Sequence, residues 1–439
     1  MLLFGFGSLF LLLRLFSKAE FGVWVLFLAI TSIIEVGRTG LLQNTLVKHL
    51  TTSESTTYSK ISTASLVLNV GLAGICLIGL PLIAYPLSHF WESATLAPLL
   101  LIYCLTTLTL IPLHQFNFMQ QANLEFKGIF WANFTKQGLF FGYIAVHYLL
   151  GWSISLVGLA TWQVFTTFSG AIVSFFFAKK YLRFTRKIDW SWVKRLFDYG
   201  KYVFGTNLST MLYKSIDKMM LGSLLSPIPV AVYELAIRIT NLAEVPTFSM
   251  ASIVFPKSAR QATDGRKGVK LLYEKSVGAI LAFILPCILV IMIIPEWIIF
   301  IVAGEKYLDA VPILQLTMLY GLFMPFAVQF GTVLDSIGLP KINFYFTLAG
   351  ALLNVIFNYI FISSFGLVGA AYGTLMTYLI SFVLMQWLLY QRMNVRFYRA
   401  FYYAFTFYGQ MINMLKKLTG SGTAGRQILV NQNTNYTDA

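Results

Sequence analysis

Apolar stretches follow one another along almost the whole chain, with short polar connections between them. A helix that crosses a membrane needs about 20 mostly apolar residues. The chain is 57% hydrophobic and 11% charged, whereas soluble domains carry about 25% charged residues. These values predict an all-α polytopic membrane protein. The twelve predicted spans are residues 1–14, 23–46, 61–85, 96–114, 128–150, 154–178, 200–224, 229–255, 275–302, 309–333, 342–364 and 367–390.

A sequence repeat divides these spans into two halves. Residues 15–36 read LFSKAEFGVWVLFLAITSIIEV, and residues 224–245 read LLSPIPVAVYELAIRITNLAEV. The tripeptide LVG, at 156–158 and again at 367–369, is a second echo at nearly the same spacing. Two matches in register predict two homologous halves, and paired halves in a membrane protein usually build a transport path.

Each half contains six predicted spans, so each half returns the chain to the side where it began. The halves are therefore predicted to be two six-helix bundles related as parallel repeats. The predicted divisions are an N-terminal bundle (1–180), a linker (181–199), a C-terminal bundle (200–392) and a partly disordered cytoplasmic tail (393–439). The aromatic run at 397–417 is a weaker candidate for a further membrane segment.

The basic residues indicate which side of the membrane the connections face. They concentrate in alternate connections, and the intervening connections, such as PLSHFWESA and HYLLGWS, carry almost none. This is the positive-inside pattern, so both termini are predicted to be cytoplasmic. The same distribution accounts for the net charge of +15 and argues against a nucleic-acid partner. In the 179–201 region, tryptophans interleave with basic residues, which favours an amphipathic helix on an anionic leaflet; a solvated connector is the alternative.

Enzymatic chemistry has little support in the sequence. The four histidines are scattered, the three cysteines lie in apolar runs without metal-ligand spacing, and there is no GxxxxGK[ST] phosphate loop. No cofactor and no metal site are predicted. Energy for transport is expected to come from an ion gradient or from substrate flow.

Several segments together resemble the polysaccharide flippases of O-antigen and exopolysaccharide assembly. These belong to the superfamily that also contains multidrug extruders and lipid II flippases. Each motif is degenerate, so the resemblance depends on their shared order up to about residue 390. The segments are RLFSKAEFG at 14–22, SIDK at 215–218 with Leu221-Gly222, Val232-Tyr233, Ala303-Gly304 with Tyr307 and Ala310, and Asn354 and Asn358 followed by FGLVGAA at 365–371.

The resemblance implies a substrate, an undecaprenyl-pyrophosphate-linked oligosaccharide, and a location in the bacterial inner membrane. A charge at mid-bilayer is costly unless it is paired or faces water, so charged residues within the spans are the candidate functional residues. Cationic side chains facing a hydrated cavity would offset the desolvation of the pyrophosphate. The predicted substrate-binding residues are Arg238, Lys214, Lys218, Lys136 and Arg14. The predicted gating or ion-coupling residues are Asp217, Glu35, Glu244 and Glu234.

Purely structural roles for these residues are the alternative. Lys214 with Asp217, and Glu234 with Arg238, are spaced to form internal ion pairs. Arg14 is placed where it would snorkel to the outer interface. Glu35 and Glu244 are equivalent in the repeat and fit water-exposed helix ends as well as an ion-coupling role.

The leading hypothesis is a flippase that works by alternating access of the two bundles. A cation-coupled multidrug extruder and a membrane polysaccharide polymerase or ligase are the alternatives. The predicted partners are the lipid-linked oligosaccharide and membrane lipids, together with the polymerase and glycosyltransferases of the same pathway.

Overall fold

The computed structural model describes residues 2–51, 55–263 and 266–420, and this part of the chain is helical without a β-strand. The predicted all-α fold is therefore confirmed. The polar end of the tail, predicted to be disordered, lies outside the described residues from 421 onward. In chain order the helices are α1 (Leu2–Leu15), α2 (Lys18–Thr51), α3 (Ser55–Phe90), α4 (Leu96–Ala122), α5 (Phe126–Leu150), α6 (Leu156–Ala178), α7 (Trp190–Leu224), α8 (Pro227–Thr240), α9 (Glu244–Thr263), α10 (Arg266–Ile293), α11 (Pro295–Ala303), α12 (Val311–Gly321), α13 (Met324–Ser336), α14 (Pro340–Phe365), α15 (Leu367–Met393) and α16 (Phe397–Gly420).

Many of these helices suit a bilayer by their length and their exposed surfaces. On α3, the apolar side chains of Ile75, Ile78 and Leu82 are each about 70% exposed, which favours contact with lipid rather than water. The chain is a multi-pass membrane protein. Within the described residues, eight helical stretches are long and apolar enough to span: Lys18–Val47, Thr57–Phe90, Leu96–Ala122, Leu156–Tyr181, Gly268–Ile293, Glu305–Ser336, Pro340–Phe365 and Leu367–Met393.

Three predicted spans are interrupted, each close to a proline. A 3₁₀ turn at Asn241–Ala243 separates α8 from α9, and Pro246 lies in the first turn of α9. Pro295 begins α11, and Pro325 lies in the first turn of α13. Proline has no N–H and its ring clashes with the preceding turn, so it is best tolerated where a helix begins. The affected predicted spans are 229–255, 275–302 and 309–333.

The described residues divide into two compact units. Unit 1 contains the chain up to Ile237 together with Glu296–Ile313 and Thr347–Thr374. Unit 2 contains Arg238–Pro295, Leu314–Phe346 and the chain from Leu375 onward. These units reflect packing, whereas the predicted domain boundaries follow the sequence repeat and stay a prediction.

Close approach of α2 to α7 builds the core of unit 1. A Cβ on Gly200 would lie 2.3 Å from the carbonyl oxygen of Leu41, so only glycine allows these two backbones to meet. At the other end of α2, a Cβ on Gly22 would lie 1.8 Å from the carbonyl oxygen of Pro227, at the start of α8. Helices from both sequence halves are thus packed together within unit 1.

The helix predicted for the linker is not separate from the next span. α7 begins at Trp190 and continues unbroken to Leu224. Asp189 caps it by accepting a hydrogen bond from the backbone N–H of Ser191, and the Ser191 hydroxyl holds the pKa of the Asp189 carboxyl below its ordinary value. Val193 and Leu196 are buried in the apolar cluster around α2, so this face of the amphipathic pattern packs against protein.

Unit 2 has its own apolar core, and α16 is part of it. A Cβ on Gly278 of α10 would lie 2.8 Å from the carbonyl oxygen of Ala400, so α10 and α16 are in close contact. The hydroxyl of Tyr408 donates to the carbonyl of Ala282, and the backbone N–H of Arg396 donates to Glu274. The first three turns of α16 therefore pack along α10.

Candidate functional site

Asp217 on α7 is a buried acid of the predicted site, 7% exposed. Its Oδ2 accepts hydrogen bonds from the Tyr233 hydroxyl of α8 at 2.8 Å and from the Thr374 hydroxyl of α15 at 3.0 Å. Its Oδ1 accepts one from Nδ2 of Asn358 on α14 at 2.6 Å. Asn354, one turn before Asn358, donates to the Thr374 hydroxyl at 3.3 Å. These five residues, the Asp217 cluster, are all at least nine-tenths buried.

Glycines bring α14 and α15 close enough to assemble the Asp217 cluster. A Cβ on Gly369 would lie 1.9 Å from the carbonyl oxygen of Phe361, and one on Gly373 would lie 3.0 Å from the backbone nitrogen of Asn358. A larger residue at either position would separate the two helices. Gly369 belongs to the repeated LVG tripeptide, so one echo of the repeat has a packing role at this site.

The Asp217 cluster surrounds a single carboxylate with neutral hydroxyl and amide donors. The side-chain oxygens of Asn354 and Asn358 are buried and accept no hydrogen bond. A carboxylate with neutral amide and hydroxyl oxygens is the ligand chemistry that hard cations prefer. Buried unpaired acceptors are costly, and a cation or proton bound beside one of them would lower that cost. The arrangement suits reversible binding of a cation or a proton.

Lys218 and Glu234 form a buried ion pair beside this cluster. Lys218 Nζ lies 3.0 Å from Glu234 Oε2, and the two side chains are 16% and 4% exposed. Lys218 was predicted to bind substrate and Glu234 to act in gating. The structure gives each a protein partner on the neighbouring helix, so their charges offset one another across α7 and α8.

The remaining predicted residues of the second half are more accessible. Lys214, one turn before Lys218, is exposed, and so is Arg238 near the end of α8. Glu244 begins α9 after the 3₁₀ turn and is half-buried. Its repeat equivalent, Glu35, lies inside the unbroken α2, so the repeat gives these two acids different local structures.

Two of the three predicted site residues of the first half, Glu35 and Lys136, lie near each other. Oε1 of Glu35 lies 3.5 Å from Nε2 of His114 on α4, and both Arg38 and Lys136 are near enough to interact with it electrostatically. Arg38 is only 3% exposed and donates to the Asn69 side chain at 3.0 Å. This group contains more cationic than anionic side chains within apolar helices, which is the surrounding that an anionic ligand group needs.

Arg14 belongs to a third group, which links the two sequence halves inside unit 1. Its guanidinium donates to the carbonyl of Ile301 at 3.0 Å. Lys18 pairs with Asp309 at 2.5 Å, and Lys306 donates to the carbonyl of Phe16 at 2.7 Å. The ring of Tyr307 has the Lys18 and Lys306 ammonium groups each 5.4 Å from its centroid. Arg14, Lys18, Lys306, Tyr307 and Asp309 are called the clamp below.

Charge reversal tests whether the clamp holds a conformational state. The Lys18–Asp309 pair is 23% and 49% exposed, so each single variant, Lys18→Glu or Asp309→Lys, is expected to weaken it by no more than about 1 kcal/mol. The expected result is a change in transport rate of up to about fivefold for each single variant, and a rate near wild type for the double variant. Transport in reconstituted vesicles measures this. Equal rates in all four proteins would exclude a role for the pair.

Some residues of the Asp217 cluster were not predicted as functional. Asn354 and Asn358 are four residues apart in an apolar span, a signal that points to a shared buried helix face. Thr374 gives no such signal, because threonine hydroxyls commonly bond to their own helix backbone. Its role follows only from the close packing of α14 and α15.

Comparison with known proteins identifies the family. Residues 11–312 match the family model described as "Polysaccharide biosynthesis protein". The chain belongs to this family. The predicted resemblance to this family is therefore confirmed.

Relatives of this polysaccharide biosynthesis protein occur in archaea and bacteria. An "Uncharacterized membrane protein" of Methanocaldococcus jannaschii is 30% identical over 215 residues, which cover 48% of this chain and 42% of the relative. The "Probable low-salt glycan biosynthesis flippase Agl15" of Haloferax volcanii is 26% identical over 192 residues, covering 44% and 41%. The "Lipopolysaccharide biosynthesis protein WzxC" of Escherichia coli is 22% identical over 330 residues, covering 72% and 64%. The chain thus matches about two fifths of the length of the first two relatives.

Solved structures show the same fold at low sequence identity. An inward-facing multidrug resistance transporter of the MATE family gives a TM-score of 0.77 at 16% identity, covering 89% of this chain and 94% of the other. The lipid II flippase MurJ in an inward closed conformation gives 0.76 at 15% identity, covering 95% and 90%. The predicted architecture of two repeated helical bundles is thereby confirmed. The named structures are transporters and flippases. In the part of the chain that the structure describes, no three His, Cys, Asp or Glu side chains are grouped so that they could hold a metal ion.

Proposed function

We propose that this polysaccharide biosynthesis protein is a flippase for undecaprenyl-pyrophosphate-linked oligosaccharide. It would move this lipid from the cytoplasmic to the outer leaflet of the bacterial inner membrane by alternating access, for assembly of O-antigen, capsule or exopolysaccharide. The observation that carries the proposal is the family match over residues 11–312. The cationic side chains placed within apolar helices support it, because a pyrophosphate must be offset when it leaves water.

We propose a role for each charged group from its exposure and its partners. Lys214 of unit 1 and Arg238 of unit 2 are exposed, and we propose each by itself as a contact for the anionic substrate, with Lys136 beside Glu35 as a further contact. Arg14 acts through the clamp, and Lys218 acts through its ion pair with Glu234. Asp217 carries the coupling cation or proton. Both termini of the twelve predicted spans are proposed to be cytoplasmic, with the pathway's polymerase and glycosyltransferases as partners.

The test is the sidedness of lipid-linked oligosaccharide in a strain depleted of this protein. A probe that reaches only the outer leaflet reports how much substrate has crossed. Depletion is expected to retain substrate on the cytoplasmic side, and wild-type protein is expected to restore crossing. The Lys214→Gln/Arg238→Gln double variant is expected to fail, whereas the matched Lys194→Gln/Arg195→Gln double variant at the start of α7 is expected to restore it.

Two other outcomes would replace the proposal. Unpolymerised units reaching the outer leaflet normally in the depleted strain would favour a polymerase or ligase. Normal sidedness with normal polymer and increased drug sensitivity would favour a multidrug extruder, which the equal fold likeness to the MATE transporter also supports.

A further inference from the structure

An apolar pocket in unit 2 has no part in the function proposed above. It is a cavity of about 310 Å³ at one end of α10, α13, α14 and α15. Val269 of α10, Leu334 of α13, Ile342 of α14 and Leu388 of α15 line it, together with the guanidinium-bearing Arg392. Ligand pockets in proteins begin at about 300 Å³. This cavity is therefore large enough for a small ligand or for part of one lipid chain.

The walls of this pocket are preformed. Val269, Leu334, Leu389 and Met393 are buried members of the apolar core of unit 2 as well as lining residues. The turn between α13 and α14 is fixed by glycine at a left-handed backbone position, Gly338 with φ +83°, and by a 2.8 Å hydrogen bond from the Leu339 N–H to the Leu334 carbonyl. The pocket is therefore a notch in a packed core and needs no rearrangement to accept a ligand.

The chemistry of the walls selects an apolar occupant. A buried water needs two to four polar partners, and Arg392 is the one polar residue of the lining. A guanidinium donates hydrogen bonds and accepts none. It therefore offers no acceptor for the hydrogens of a water molecule, whereas an anion, which only accepts, is a suitable partner. An apolar chain in the notch would remove its lining from contact with water and gain packing contacts there.

Charged residues adjoin the pocket lining along the chain. Arg392 itself lines the pocket, Lys270 follows the lining residue Val269, and Lys341 precedes the lining residue Ile342. The acid next to the lining residue Leu334 is Asp335, which accepts hydrogen bonds from Asn343 Nδ2 at 3.0 and 3.1 Å. Basic pockets between membrane helices on the cytoplasmic side attract anionic lipid head groups, and these three cations lie in segments predicted to face the cytoplasm.

We propose that this pocket binds an anionic phospholipid of the inner leaflet, with one acyl chain in the notch and the phosphate on Arg392. The lipid would tie together the ends of four helices of unit 2. Phospholipid composition would then influence this protein independently of its transported substrate.

The test counts lipids on the purified full-length chain by native mass spectrometry during titration with phosphatidylglycerol or phosphatidylcholine. Leu388→Trp fills the notch and is expected to remove one tightly held phosphatidylglycerol. Arg392→Gln is expected to weaken that phosphatidylglycerol about fivefold, to the level of phosphatidylcholine, as for one cation at an anionic surface. Val383→Trp, at a 58% exposed position of the same helix, and Arg186→Gln, in the 179–189 connection, are the controls and are expected to match wild type.

Retention of the tight phosphatidylglycerol in both Leu388→Trp and Arg392→Gln would overturn the proposal, and so would equal affinity of the wild type for the two lipids. If Leu388→Trp lowers the unfolding temperature below that of Val383→Trp, the conservative Arg392→Gln variant decides alone, with Arg392→Lys expected to restore part of the preference. Because this readout is lipid binding, it is independent of whether the chain transports oligosaccharide.

Discussion

Replacing Asp217 with asparagine is expected to lower gradient-driven transport of lipid-linked oligosaccharide at least about a hundredfold, because a cation held among apolar helices without its carboxylate is left uncompensated. The substitution preserves side-chain size, and the neighbouring Tyr233, Asn358 and Thr374 stay in place. The measurement is transport of a labelled substrate into reconstituted vesicles under an imposed sodium or proton gradient. Comparing the two gradients also identifies the coupling ion.

Asp335→Asn is the matched control, since Asp335 is also an aspartate bonded to an asparagine but lies near the end of α13. It is expected to transport at the wild-type rate. Thr374→Val removes one neutral oxygen from the cluster and is expected to raise the ion concentration needed for half-maximal rate while leaving the maximal rate nearly intact. Undiminished gradient stimulation in Asp217→Asn would show that ion coupling lies elsewhere.

The second large effect is expected at Lys218 and Glu234. Removing one partner of a buried ion pair costs about 3–5 kcal/mol, whereas replacing both with apolar residues is often nearly neutral. Lys218→Met and Glu234→Gln are therefore each expected to reduce the free energy of unfolding strongly, and the Lys218→Met/Glu234→Leu double variant is expected to recover most of the loss. Unfolding of the purified chain in detergent measures these differences.

The same variants separate a structural from a substrate-binding role for Lys218. If the double variant is stable and still transports, Lys218 has only a structural role. If it is stable and inactive, Lys218 also binds the substrate. The exposed pair Lys201–Asp198, with side chains 44% and 48% exposed, is the control, and its single variants are expected to cost less than about 1 kcal/mol.

The sequence predicted the fold and the family well because both depend on features that repeat along the chain. Apolar stretches of spanning length and the copied segment at 15–36 and 224–245 are long-range patterns, which a single substitution does not hide. Prolines were visible too, but a proline permits either a bend or an ordinary helix in a membrane. The breaks beside Pro246, Pro295 and Pro325 therefore required the structure.

The partners of the buried charges were less predictable. Spacing along one helix suggested Glu234 with Arg238, and Lys214 with Asp217. In the structure Glu234 pairs with Lys218 on α7, and Asp217 accepts hydrogen bonds from three neutral donors on three helices. Spacing rules describe one helix at a time, whereas a buried charge is satisfied by whichever neighbouring helix packs against it.

The packing of α2 against α7 has a consequence for how the chain is made. Gly200 meets the backbone at Leu41, and the start of α2 meets the start of α8 at Gly22 and Pro227. As the ribosome delivers the chain from its N-terminus, α2 enters the bilayer well before the helix that covers it exists. The surface of α2 that α7 covers in the folded protein therefore stays in contact with lipid or with the insertion machinery until α7 emerges. Packing of the first six helices is thus complete only after α7, which follows them in the chain, has been inserted.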